Sequence, residues 1–149
     1  MGGLTTIIKG AILAIAIVAP AKAESWAQFS STDRTAYLVD LDTLTPTDGV
    51  ANTRLARVPL GEDAAERGHE MEEVAVRCGD KQFRSGATIS YGPDGSETDR
   101  YTEETSWDPA REGTLYASIL SFACEDMRPA GATPYPTIAA FIELSLIHI

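Results

Sequence analysis

The feature that most constrains this chain is a cysteine closing an alternating stretch. Within residues 70–91, Val74, Val76 and Cys78 alternate with Glu73, Ala75 and Arg77, the period-two pattern of a half-buried strand. After a short break, Phe83, Ala87, Ile89 and Tyr91 alternate with Gln82, Arg84, Thr88 and Ser90. Gly79-Asp80 lies between the two runs, and Gly first in a two-residue loop suits a type II′ turn. Such a turn predicts Cys78 opposite Lys81, Val76 opposite Phe83 and Val74 opposite Ser85. Both apolar rows then share one face. Cys78 ends its strand with the sulfur on the buried side, and Cys124 is its only possible intrachain partner.

Whether those two sulfurs join depends on where the chain goes, and the amino end speaks to that. Lys9, an apolar run over 10–20 and Ala21-Lys22-Ala23 have the charge, core and small-x-small order of a secretory signal. The expectation is a signal peptide over 1–23, cleaved between Ala23 and Glu24. The run is too short to favour a stable membrane span, so no stable membrane insertion is expected after cleavage. No cysteine lies near the cleavage site to carry a bacterial lipid anchor. An exported chain meets oxidising conditions, where two cysteines form one disulfide. Closing a loop of this length stabilises by about 4 kcal/mol on the chain-entropy estimate.

The balance of 12 basic to 22 acidic side chains repels phosphate backbones, so nucleic acid is not an expected partner. The expected location is outside the cytoplasm: periplasmic, secreted or at the cell surface.

The remaining elements follow from pattern. Residues 24–30 read as a first strand anchored by Trp26, 35–41 as a second and 50–60 as a third. A charged, glycine-flanked stretch over 61–68 suits a helical turn. The Pro93-Asp94-Gly95 signal leads into an edge strand over 96–103, and Trp107 in the following loop is a second anchor for the core. Over 113–124 the period changes: Leu115, Ile119 and Phe122, with Tyr116, Leu120 and Ala123, make a wide apolar helical stripe behind an N-cap at Thr114. The fold class is therefore α+β and mainly β: an antiparallel sheet of about five to six strands with one C-terminal helix packed on it and tied to it by Cys78–Cys124. The folded domain spans 24–124, with Trp26, Phe83, Trp107, Leu115 and Ile119 as structural anchors.

Residues 125–143, with Pro129, Pro134 and Pro136, read as a Pro-rich linker and a truncated continuation. Residues 144–149 (LSLIHI) spell the in-frame translation of the transposon mosaic end used in sequencing libraries. They are expected to be an adapter artefact, so His148 carries no functional weight.

Little reactive machinery is visible. Without several His or Cys ligands at fixed spacing no metal site is expected, and no cofactor. His69, in Gly68-His69-Glu70, reads as a surface histidine at a charged strand entrance. Asp40 and Asp42 read as strand terminators. Arg54, Arg57, Arg77 and Arg84 suit cross-strand pairing with carboxylates. Glu70, Glu72 and Glu73, with Glu97, Asp99, Glu103 and Glu104, could share one edge of the sheet. A small hydrolase would need that edge to join Glu72 or Glu73 to Glu103 or Glu104 in a concave site.

In their order, these landmarks resemble the surface-adhesin protein E family of bacterial exported domains. The matching features are an early Trp26, the strand Tyr37-Leu38-Val39-Asp40, Cys78 followed by Phe83-Arg84, the tip Asp94-Gly95, Trp107 before Pro109, and a helix ending in Cys124. The resemblance implies an antiparallel sheet with a helix bridged to it, and no enzymatic activity. It implies protein–protein contact, with extracellular-matrix or other envelope proteins as partners. A periplasmic structural or envelope-associated protein without a host ligand is the alternative.

Overall fold

The computed structural model describes Gly3 and residues 24–61, 66–103, 105–131 and 133–147. Apart from Gly3, the signal segment through Ala23 lies outside the described residues, as do residues 62–65 of the charged stretch, Glu104, Ala132, His148 and Ile149. The strands are β1 (Trp26–Ser31), β2 (Thr35–Asp40), β3 (Val50–Pro59), β4 (His69–Arg77), β5 (Gln82–Tyr91), β6 (Glu97–Thr102) and the short β7 (Asp108–Pro109). They form one antiparallel sheet in the order β1-β2-β3-β4-β5-β6, with β7 also paired to β5. Two helices follow, α1 (Leu115–Cys124) and α2 (Ile138–Ile147).

Each face of the sheet carries one helix. Val39, Ala51, Leu55, Val74 and Val76 pack with Ile119, Leu120 and Ala123 of α1. Trp26, Ala36, Leu38, Ala56, Val58 and Met71 pack with Ile138 and Phe141 of α2. The alternation of a strand separates the two sets: Leu38 and Val39 are neighbours in sequence, as are Leu55 and Ala56, yet each member serves a different face. Of the expected anchors, Trp26 and Ile119 are fully buried. Phe83 and Leu115 pack at the margin of the α1 cluster.

Thr114 caps α1: its side chain accepts a hydrogen bond from the Ala117 N–H. At the other end Cys124 is bonded to Cys78, with Cα atoms 5.6 Å apart, within the normal range for a disulfide. The sheet and helix are therefore covalently joined where the sequence places the joint.

Four details differ from the sequence reading. The hairpin loop holds four residues between Arg77 and Gln82, and its left-handed residue is Lys81 (φ 54°), not Gly79. A type II′ turn is therefore not formed. The register survives, with Val76 opposite Phe83 and Val74 opposite Ser85, because two and four loop residues have the same parity.

The second difference is a β-bulge. Pairing steps from Val74↔Ser85 to Glu72↔Thr88, which inserts one extra residue in β5. Beyond the bulge the faces of β5 exchange. Phe83 packs towards α1, but Ile89 pairs Met71 and Tyr91 packs with the α2 cluster, so the expected single apolar row is divided. Gly86 sits in the bulge, where a Cβ would lie 3.3 Å from the Glu73 carboxylate.

Third, Trp107 belongs to neither buried cluster. It is half-buried, with the guanidinium carbons of Arg77 and Arg84 at 4.3 and 4.7 Å from its ring. Fourth, the fold continues beyond residue 124. The described residues of 125–136 are largely irregular, but Tyr135 bridges Trp26 and α2 follows.

Candidate functional site

Two charged networks are built into the sheet, and both rest on residues adjacent in the fold rather than in sequence. The first lies under α1. Glu72 is only 5 % exposed, on the α1 face of β4. Arg57 of β3 forms an ion pair with it at 2.8 Å. Tyr116 of α1 donates its hydroxyl to Glu72 at 2.9 Å, and Ser85 of β5 donates at 2.8 Å. The phenol of Tyr116 is stacked on Phe83, ring centres 3.9 Å apart. Burial and the neighbouring Glu72 charge both raise the Tyr116 pKa, so the phenol stays protonated and donating. Burial opposes the charge on Arg57, but Glu72 outweighs it and raises the Arg57 pKa.

The second network ties the start of β1 to the end of β2. Asp40 is 1 % exposed. Arg54 bridges Asp40 and Glu24, each at 2.9 Å, with its guanidinium 5.0 Å from the Trp26 ring centre. The Trp26 indole N–H donates to Glu24 at 2.8 Å. For Glu24, burial pushes the carboxyl pKa up, but the Trp26 and Arg54 hydrogen bonds prevail and hold it below its ordinary value. Asp40 also accepts the Asp42 N–H, which caps the 3₁₀ turn Leu41–Thr43 and ends the strand. The reading of Asp40 as a terminator therefore stands, with an ion pair added.

Among the described residues, which leave out Glu104, the acidic edge needed for a hydrolase is not assembled. β4 and β6 are separated by β5, so their backbones lie about 10 Å apart. Glu72 and Glu73 point to opposite faces; Glu72 is buried in its network and Glu73 is exposed. Glu97, Asp99 and Glu103 are exposed. His69 is not a plain surface residue either. It is half-buried and stacked on Tyr91 at 4.8 Å, and burial lowers its pKa. Gly68 before it has φ 46°, and a side chain there would meet the Tyr91 carbonyl oxygen. A groove of about 400 Å³ runs past His69, Tyr37, Arg57 and Arg67.

What remains available for contact is the border of the sheet. All six residues of β6 are exposed, with Tyr101 at 60 %. On the opposite border, β1 has one outer bridge, Trp26 to Tyr135.

Sequence reasoning gave Cys78 and Cys124 but missed the joining of Glu72, Arg57 and Tyr116. The one available signal was parity: Glu72 shares the row of Val74, Val76 and Cys78, which places its carboxylate on the buried face, although nothing in the sequence names Arg57 and Tyr116 as its partners. Compared with known proteins, the chain matches no family model, no curated protein and no solved structure.

Proposed function

We propose that this chain is a non-enzymatic exported binding domain, adhesin-like in the manner of the surface-adhesin protein E family, which acts by protein–protein contact. The observation that supports the reading is that the sheet ends in two borders, β1 and β6, neither of which is closed by a further full strand among the described residues. An unpaired strand edge offers a row of backbone donors and acceptors to another polypeptide. The most buried charged side chains, Glu72 and Asp40, are engaged in holding strands and α1 together. The partners are extracellular-matrix or other envelope proteins.

Binding of the oxidised, secreted chain to immobilised matrix proteins tests this. Saturable binding to at least one of them is expected, together with protease-sensitive display on intact cells. A chain that stays within the periplasm and binds none of them would overturn the adhesin reading. It would favour the alternative of an envelope-associated structural protein.

A further inference from the structure

The two borders of the sheet are not equivalent. β6 carries Glu97, Asp99 and Arg100 along its edge, and Arg100 is ion-paired with Glu97. Charged side chains on an edge strand oppose the addition of an unmatched strand. They also oppose self-pairing. In a two-fold antiparallel pair, a strand meets its copy with residues of like parity opposite each other. Centring the axis on Asp99 or on Arg100 then sets like charges face to face.

β1 has no charged residue between Trp26 and Ser31. Its border is already used once. The Trp26 N–H donates to the Tyr135 carbonyl and the Tyr135 N–H to the Trp26 carbonyl, both at 2.8 Å, in antiparallel sense. The alternation of backbone direction places the next outward-facing pair at Gln28; between Gln28 and Ser30 β1 is bulged, so the regular edge offered to a guest is the short stretch from Trp26 to Gln28. The chain's own segment does not continue along it among the described residues. It diverges and leaves a groove of about 450 Å³, with Gln28, Phe29 and Ser30 on one wall and Gly131, Thr133 and Tyr135 on the other. That volume lies within the usual range of about 300–1,000 Å³ for ligand sites.

We infer that this groove accepts an extended, uncharged segment of a partner polypeptide, added antiparallel to β1 in continuation of the Trp26–Tyr135 bridge. The lining residues are polar but uncharged, apart from the apolar Phe29 and Ala130 and the glycine Gly131, and they carry no charge to pair an ionic guest. The net charge of −10 further disfavours an acidic one. A second copy of β1 does not suit the groove, because that strand brings its own sheet and its own 130–135 segment with it. This inference rests on the proposed binding function and names where on the sheet it acts.

The test is a titration of the isotope-labelled oxidised chain with a capped heptapeptide of alternating Thr and Val, followed by backbone amide shifts. Saturable shifts at Gln28, Phe29, Ser30 and Thr133 are expected, weakened about tenfold by Gln28→Pro, which removes one outward N–H. Thr133→Trp narrows the groove from the opposite wall without altering β1, and should weaken binding equally should the proline variant not fold. Placing Asp at the centre of the peptide should also weaken it. Shifts confined to β6, or no saturable shift at millimolar peptide, would overturn the inference. Matrix-protein binding that survives both variants would sink this site and leave the binding function standing. Peptide shifts at β1 without any matrix binding would do the reverse.

Discussion

Glu72 shows how a single residue can be placed by partners the local sequence does not announce. Its carboxylate is buried, and Arg57, Ser85 and Tyr116 approach it from β3, β5 and α1. Removing one member of a buried pair strands the other, which typically costs about 3–5 kcal/mol. Arg57→Met should therefore lower the urea midpoint substantially. The double variant Arg57→Met/Glu72→Met should recover most of that loss, because the uncompensated charge is gone. Equal midpoints for the single and double variants would mean that the pair is not coupled as described.

His69 is the residue to watch as pH falls. Burial lowers its pKa below the ordinary value, so the unfolded chain binds more protons than the folded one between the two values. Neutral in both states above the ordinary value, His69 costs nothing there. Stability then falls as pH drops below about 6.5 and levels off below the folded-state pKa. A His69→Gln variant should flatten this part of the melting-temperature profile between neutral and mildly acid pH. An unchanged slope would place the pH dependence elsewhere.

At the scale of elements, α1 is held by an apolar stripe, a cap and a disulfide. Cys124→Ser should cost about 4 kcal/mol on the chain-entropy estimate. Amide exchange should accelerate more in α1 than in β3 and β4, since the sheet keeps its ladders. Uniform acceleration would contradict a joint that mainly restrains the helix.

The contrast between α1 and α2 shows what sequence can convey about an element. α1 was legible because Leu115, Ile119 and Phe122 repeat at helical spacing behind Thr114 and end at a cysteine. α2 was not, because its apolar residues surround the helix rather than forming one stripe, and its first turns follow a proline-rich run. The bulge in β5 was hidden for a related reason. Phe83, Ala87, Ile89 and Tyr91 keep one parity throughout, so the extra residue that exchanges their faces leaves no break in the pattern. Trp107 was misplaced because an aromatic residue in a loop reads as core, while the two arginines that stack with it are distant in sequence.

Within α2 the docking contacts come from Ile138 and Phe141, both buried, whereas Leu144 is 44 % exposed. Phe141→Ala should therefore destabilise by about 3–5 kcal/mol. Deleting residues 144–149 should cost far less by the same urea titration. The reverse order would mean that α2 is held by its last turn.

On the scale of the whole molecule, the sheet with a helix on each face was half foreseen. Both faces of β2 and β3 are buried, whereas the sequence reading expected a single helix packed on the sheet; Leu38 and Ala56 lie on the face that α2 covers. The covalent joint was fully legible, because two cysteines admit a single intrachain pairing. The charge networks and the uncharged β1 groove emerge only when strands far apart in sequence are set side by side.

Export, oxidation and a folded sheet all meet in one sample: the full chain, expressed with its own amino end in a bacterium, recovered outside the cytoplasm and measured by intact mass before and after reduction. The expected species begins at Glu24, is lighter by two hydrogens than its reduced form, and takes up no alkylating agent until reduced. A chain that keeps residues 1–23 and alkylates at both Cys78 and Cys124 without reduction would contradict an exported sheet closed onto its helix by a disulfide.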